Sequence, residues 1–179
     1  MLFLFIGPET FAIGGHHRDT SECLEIAGVV YVDGDSANHI SVELVLDNEQ
    51  VELLDVMSYQ PFKFYLKKNK VYTIKLSKNL FISKSITVNT DLPPGTKVKS
   101  LYKFHFDTDL VKAPDYKSTK ADALDFPLAL IRFSPEKKKF EYSQKYNDMV
   151  NDMIDADMYK IYGGDGDAPE IKKGDKKKK

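Results

Sequence analysis

The sequence has one cysteine, no tryptophan and no excess of charge of either sign. Its 179 residues include 26 lysines and arginines against 27 aspartates and glutamates, which gives a net charge of −1. A single cysteine, Cys23, excludes an intramolecular disulfide and a cysteine-rich zinc site, and we expect it to be a small buried side chain. Because nucleic-acid binding needs a basic field to displace counterions from phosphate, the charge balance argues against a nucleic-acid partner.

The short motifs of several enzyme classes are also missing. The chain has no Gly-x-Ser-x-Gly elbow for a nucleophilic serine, no Gly-x-x-x-x-Gly-Lys phosphate loop and no His-Glu-x-x-His zinc helix. We therefore expect no catalytic residues, no enzyme activity and no cofactor. A hydrolase is the remaining catalytic alternative, since a site can be assembled from distant residues. It would need a shallow mouth at His39 or His105 with a carboxylate paired to the imidazole.

No hydrophobic run is long enough to cross a bilayer. The longest at the N-terminus, MLFLFIG, ends at Gly7, and Pro8 and Glu9 follow it. The sequence Ala12-Ile13-Gly14 resembles a signal-peptide cleavage site. Residues 1–22 are thus either the end of a secretory signal or an N-terminal arm, and no transmembrane segment is expected.

The clearest pattern lies in residues 71–90, VYTIKLSKNLFISKSITVNT. Tyr72, Ile74 and Leu76 alternate with polar residues, and the alternation resumes at Ile86. A period of two is typical of a strand with one buried and one solvent-facing side. Similar runs separated by turn residues precede it at Leu24–Val32, His39–Asp47, Val51–Met57 and from Pro61 onward. Their short spacing predicts a mainly β protein, a β-sandwich with mainly antiparallel pairing.

Two prolines and a glycine after Leu92 break this series, and a second set of elements follows. We expect a strand at Val98–Asp107, a strand buried on both faces at Phe126–Phe133, and a short strand at Phe140–Tyr142 that completes an added β-hairpin. Apolar residues at steps of three and four then predict one amphipathic helix, Ser143–Tyr162, with Ser143 as N-cap. The predicted division is an arm at 1–22, a sandwich at 23–92, an extension at 93–162 that packs on it, and a disordered charged tail at 163–179.

The central stretch has the form Tyr-x-Ile-x-Leu-Ser-Lys-x-x-Phe-x-Ser-Lys-x-Ile-x-Val-x-Thr, from Tyr72 to Thr90. Together with Gly28-Val29-Val30 and the run at 40–46, it resembles the carboxypeptidase regulatory-like family, whose members are transthyretin-like (prealbumin-like) β-sandwiches. The family usually has glycine where this chain has Leu80. The resemblance implies an accessory module of exported bacterial proteins, an extracytoplasmic location and a role as scaffold or interaction module.

Two groups of residues are candidate binding sites. Asp33, Asp35 and Asn38 place oxygen ligands in one turn, which calcium would need, although the spacing differs from an EF-hand and turn formation alone explains these residues. Tyr59, Tyr65 and Tyr116 could form a platform for stacking a sugar.

We therefore expect a non-catalytic structural or protein-interaction module of the bacterial cell envelope, whose partner is another envelope protein. The alternative is a module that binds carbohydrate or calcium, and a hydrolase comes last. The sequence leaves the partner's identity and the oligomeric state open.

Overall fold

The computed structural model describes residues 19–32, 39–112 and 126–162, with side chains up to residue 153. The predicted N-terminal signal or arm, apart from residues 19–22, and the predicted disordered tail lie outside these ranges. The described residues form nine strands and one helix. In chain order these are β1 (Glu22–Tyr31), β2 (Ile40–Leu46), β3 (Glu49–Val56), β4 (Pro61–Lys67), β5 (Val71–Ser77), β6 (Lys84–Asn89), β7 (Tyr102–Asp109), β8 (Ala129–Ser134), β9 (Lys139–Tyr142) and α1 (Gln144–Tyr162).

The strands form two sheets, so the predicted mainly β sandwich is confirmed. The smaller sheet has the order β4-β1-β7, and the larger has the order β3-β2-β5-β6-β8-β9. One cluster of buried apolar side chains from both sheets makes the core. The pairs β2–β3, β2–β5 and β5–β6 are antiparallel, as the sequence predicts.

The alternation in the sequence matches the buried face of each central strand. Tyr72, Ile74 and Leu76 are at most 4% exposed, and Ile86 and Val88 at most 5%. On β1 and β4 the buried faces are built from Leu24, Ile26, Val30, Phe62, Phe64 and Leu66. Burial of these side chains is the main favourable term in folding.

Two parallel pairs depart from the antiparallel pattern. β7 pairs in parallel with β1, with Gly28 opposite Phe106, and β8 pairs in parallel with β6. Both partners are distant in sequence, so no turn joins them and the alternation within each strand cannot reveal their direction. Both added strands come after Leu92, yet they extend sheets that begin before it. The predicted boundary at residue 92 stays a prediction.

The added hairpin and the helix close one end of the larger sheet. β8 and β9 form the hairpin, and β8 joins it to β6. The expectation of burial on both faces of β8 was wrong, because Arg132 is exposed while Ile131 is buried. The α1 helix begins one residue after Ser143, whose carbonyl accepts a hydrogen bond from the Asn147 N–H at 3.0 Å, and it packs on β8.

Up to residue 153, where side chains are described, the helix buries a narrower stripe than its sequence predicts. Val150 is 1% exposed, but Met149 is 48% exposed. Within the described part of the chain, no helix combines the length and the apolar content that a bilayer crossing requires.

Two motif residues hold the connection between the sheets. The Lys67 N–H donates to the Tyr72 hydroxyl at 3.2 Å, and Thr90 Oγ1 donates to the Lys67 carbonyl at 2.7 Å. Thr90 Oγ1 also accepts from the Lys70 N–H at 3.0 Å. Tyr72 and Thr90, the ends of the motif that carries the family resemblance, therefore fix the turn by which the chain passes from β4 to β5.

Cys23 is a buried core residue, as predicted. Its side chain is fully buried, and burial raises the pKa of its thiol to about 11 because a thiolate is poorly solvated there.

Candidate functional site

The outer face of the smaller sheet carries tyrosine, aspartate and histidine side chains that contact one another. On β1 the outward positions are Glu25, Ala27, Val29 and Tyr31, and the inward ones are buried. The parallel register places Ala27 beside His105 and Val29 beside Asp107 on β7. Small side chains in the middle of this face leave the surrounding aromatic and polar groups accessible.

At the end of β1 two tyrosine rings are in contact. The rings of Tyr31 and Tyr59 lie 5.1 Å apart, centroid to centroid, at an interplanar angle of 64°. Tyr59 is 58% exposed, so its ring contributes little to the core. An edge-to-face pair of this kind holds the rings in a fixed relative orientation.

Tyr59 has a backbone conformation that is unusual for an aromatic residue. It is the third residue of a turn closed by the Gln60 N–H donating to the Met57 carbonyl at 3.0 Å, and its φ is 68°. Left-handed backbone is disfavoured for residues with a large side chain. The turn is fixed to β1 on both sides, since the Tyr59 N–H donates to Val30 O at 3.0 Å and the Val32 N–H donates to Ser58 Oγ at 2.9 Å.

Asp107 connects this aromatic pair to a histidine. The Tyr31 hydroxyl donates to the Asp107 carboxylate, and Asp107 Oδ1 lies 2.9 Å from His105 Nε2. Burial raises the pKa of Tyr31, and the negative charge of Asp107 raises it further. The result is a continuous chain of contacts, Tyr59–Tyr31–Asp107–His105, which we call the Asp107 cluster.

A cleft opens beside the Asp107 cluster, at the edge of β7. It has a volume of about 210 Å³ and is lined by residues of β6, β7, β8, β9 and α1, among them Lys84, Asp107, Tyr142 and Asn147. Lys84 is only 17% exposed and binds Asp109 at 3.1 Å. Asn147 Oδ1 is buried in the cleft wall without a protein partner. The cleft therefore offers a hydrogen-bond acceptor, Asn147 Oδ1, and a lysine, Lys84, that is paired with a carboxylate.

The structure brings together one predicted tyrosine and residues that the sequence reasoning missed. Tyr59 belongs to the Asp107 cluster, whereas Tyr65 lies opposite Glu25 on the same face, six β1 residues from Tyr31 and thus roughly 20 Å away. Tyr116 lies outside the described residues. Tyr31 and Asp107 were missed because the pairing that makes them neighbours is parallel and distant in sequence. The alternation of His105 and Asp107 on β7 was the available signal.

A second site surrounds His39, at the edge of the larger sheet. His39 Nδ1 lies 2.8 Å from Asp55 Oδ2, and the two side chains are 71% and 63% exposed. A groove of about 550 Å³ runs beside them and is lined by His39, Ser41, Leu53, Leu54, Asp55, Ser77, Lys78 and Asn79. Because Nδ1 pairs with the carboxylate, Nε2 is available for a second hydrogen bond. In a catalytic histidine the imidazole pairs with a carboxylate through one nitrogen and with a nucleophile through the other. In the described ranges, however, no serine hydroxyl bonds to His39 or His105.

A third feature is the exposed edge strand β3. The four edge strands of the described sheets are β3, β4, β7 and β9. β4 carries Pro61, Lys63 and Lys67, β7 has charged residues at three of its four exposed positions, and β9 has four residues. Lysine, proline and short length are common means of protecting an edge from unwanted pairing.

β3 has only part of this protection, namely charged side chains and an irregular register with β2 between Leu44 and Val45. It is eight residues long and contains neither lysine nor proline. Val51 and Leu53 are 51% and 54% exposed. The strand also carries three carboxylates and no basic residue. β3 is therefore the edge best suited to accept another strand.

The calcium alternative stays a prediction. Asp33, Asp35 and Asn38 lie outside the described residues. In the rest of the chain, so far as it is described, no three histidine, cysteine, aspartate or glutamate side chains are close enough to hold a metal ion.

Comparison with known proteins supplies no family. No family model matches the chain, and no curated protein matches it either. Among solved structures, the chain is similar to one described as the crystal structure of S.CueP, with a TM-score of 0.34 and 12% sequence identity. The match covers 51% of this chain and 62% of that one, so this chain spans less than two thirds of its length.

Proposed function

We propose that this chain is a non-catalytic protein-interaction module that binds an extended segment of a partner protein along the outer edge of β3. A partner strand would continue the larger sheet, and backbone hydrogen bonds would supply much of the affinity. The observation that carries this proposal is the long edge of β3, which has no lysine or proline and exposes Val51 and Leu53.

The side chains of β3 define the partner segment. Val51 and Leu53 would contact apolar residues at alternate positions of the added strand, because side chains on one face recur every two residues. The three carboxylates favour basic residues between them. We infer a segment in which apolar and basic residues alternate.

The resemblance to transthyretin-like modules of exported bacterial proteins supports a proposal about where this interaction takes place. On the strength of this resemblance we propose the cell envelope, outside the cytoplasm, as the location and another envelope protein as the partner.

The test uses a blocked octapeptide of alternating valine and lysine, and the same peptide with glutamate in place of lysine. We expect the lysine peptide to slow hydrogen exchange at β3 amides and to leave β4 and β9 unchanged, and the glutamate peptide to bind much more weakly. Val51→Lys should weaken binding by about tenfold, which corresponds to about 1.4 kcal/mol.

Val71→Lys is the matched control, because Val71 is also 51% exposed but lies on β5, an internal strand. Equal weakening by both variants, or protection at β4 or β9 instead of β3, would refute docking at this edge.

A hydrolase is the second candidate, and the His39–Asp55 pair beside a groove containing Ser41 and Ser77 favours it. If the groove is catalytic, a fluorophosphonate probe should label one of these serines, and His39→Ala should abolish the labelling. Labelling that survives His39→Ala, or no labelling at all, excludes this pair from serine catalysis.

A further inference from the structure

Tyr59 combines exposure with a disfavoured backbone conformation. Its ring packs on Tyr31 and is otherwise largely in solvent, so core packing does not account for a bulky residue at this φ. Glycine or asparagine would adopt the same turn at lower cost. Residues held in disfavoured conformations are enriched at ligand sites, where the surrounding structure holds them in place.

The polar groups next to the ring suit a ligand rich in hydroxyl groups. A carboxylate has about four acceptor positions, and in Asp107 the contacts with Tyr31 and His105 occupy two of them. The remaining positions can accept from ligand hydroxyls, and the His105 ring and the Tyr59 hydroxyl can form further hydrogen bonds. A carboxylate at the centre repels anions, so phosphorylated and acidic ligands are disfavoured.

The shape of the site argues for a flat ligand. The cluster lies on the outer face of a three-stranded sheet, with Ala27 and Val29 in the rows beside it, and of its members only Asp107 lines the cleft at the edge of β7. The electron-rich face of an aromatic ring attracts the weakly positive C–H groups on one side of a sugar ring. A quaternary ammonium group, in contrast, is bound within a cage of several aromatic faces.

We propose that the Asp107 cluster is a binding site for a neutral oligosaccharide. One sugar ring stacks on Tyr59, and its hydroxyl groups hydrogen-bond to Asp107 and His105. Tyr31 orients both the ring of Tyr59 and the carboxylate. This site is on the sheet opposite to β3 and does not depend on strand docking.

The experiment titrates the full chain with cellotetraose, maltotetraose and chitotetraose, with choline chloride as the cationic comparison. The chain has 10 tyrosines, so the tyrosine rings are labelled selectively and the signals of Tyr31 and Tyr59 are assigned from single variants. We expect at least one tetrasaccharide to shift the signals of Tyr31 and Tyr59, and choline to leave them unchanged.

Tyr59→Gly separates binding from folding. Glycine adopts a positive φ without strain, so the unfolding midpoint should stay close to that of the wild type while saccharide affinity falls by about tenfold. Asp107→Asn, which keeps the side-chain shape, should also weaken binding. Tyr65→Ser, on the same face but distant from the cluster, is the matched control and should bind as the wild type does.

Four results would overturn the proposal. The first is that none of the three tetrasaccharides shifts the tyrosine signals at millimolar concentration, and the second is that only choline does. The third is that Tyr59→Gly binds saccharide as tightly as the wild type. The fourth is that Tyr59→Gly is markedly less stable, which would assign the ring a structural role. Val51→Lys should leave saccharide binding unchanged, so this test and the test of β3 docking fail independently.

Discussion

Leu80 shows how one side chain can oppose the local backbone that the fold requires. The Phe81 N–H donates to the Lys78 carbonyl at 3.1 Å, and Leu80, the third residue of this turn, has a φ of 67°. A type II turn needs a positive φ at this position and therefore favours glycine. The structure thus contains a conformation that favours glycine, with leucine in its place.

Leu80→Gly should stabilise the protein. Relief of left-handed strain is worth about 1–2 kcal/mol, and the extra backbone freedom of glycine in the unfolded chain offsets about 0.5–1 kcal/mol of it. The side chain is 68% exposed, so its removal costs little packing. We expect a net gain of about 0.5–1 kcal/mol in urea unfolding. Asn79→Gly, where φ is not positive, should destabilise, and a gain there as well would contradict the explanation.

Gly28, unlike Leu80, is a position where the chain has glycine, because the neighbouring side chains leave no room for a Cβ atom. A Cβ atom built there would lie 2.7 Å from Phe62 Cζ and 3.0 Å from Phe106 Cζ. These two rings form an edge-to-face pair with centroids 5.8 Å apart, directly over the middle of β1.

Gly28→Ala should destabilise the protein by about 1–3 kcal/mol, the usual cost of overpacking a core. A double-mutant cycle checks the cause. In the background of Phe62→Leu, which removes the closest ring, the alanine should cost markedly less. Additive effects would show that the ring is not the obstacle.

At the scale of elements, turns decide how the strands are connected. Asp47 and Asn48 form the two-residue loop between β2 and β3, and both have positive φ, as type I′ hairpins require. Aspartate and asparagine tolerate this conformation, so a tight hairpin was predictable here. The turn from β4 to β5 depends instead on Thr90, which is 20 residues or more from its backbone partners.

Thr90→Val should destabilise the protein by about 1–3 kcal/mol. Valine matches the shape of threonine, but it leaves the Lys67 carbonyl and the Lys70 N–H without their hydroxyl partner, and the Thr90 side chain itself is fully buried. Chemical denaturation provides the measurement. Thr87→Val, on the outward face of β6, should change stability by less than about 0.5 kcal/mol, and equal costs would argue against a specific role for Thr90.

At the scale of the whole molecule, a charged contact joins the start of β1 to the end of β4. Asp19 accepts from the Ser21 N–H at 2.9 Å and pairs with Lys67 at 3.1 Å. The hydrogen bonds from Ser21, followed by that from Lys67, lower the pKa of Asp19 to about 2 from its usual 3.8. A lowered pKa in the folded state means that the contact stabilises the fold above about pH 4, and that this contribution is lost as the pH falls toward 2.

Asp19→Asn should therefore lower the urea midpoint at pH 6 and have little effect at pH 2. Both partners are about half exposed, so the difference at pH 6 should be small and should shrink in high salt. Asp91→Asn, at another exposed aspartate, is the control. A deficit in Asp19→Asn that persists at pH 2 would assign the effect to something other than the charge.

The sequence by itself determined the strands, the helix and, except on β8, the buried faces of the strands, because these depend on periodicity within a short segment. Only the tertiary structure decided the two parallel pairings, the exposed edge of β3 and the Asp107 cluster. Tyr31 and Asp107 are neighbours because β7 returns to β1 after a long excursion, and no spacing along the chain encodes that register. The alternation within a strand predicts which side chains face inward. Which strands become neighbours depends on the free energy of packing the whole core.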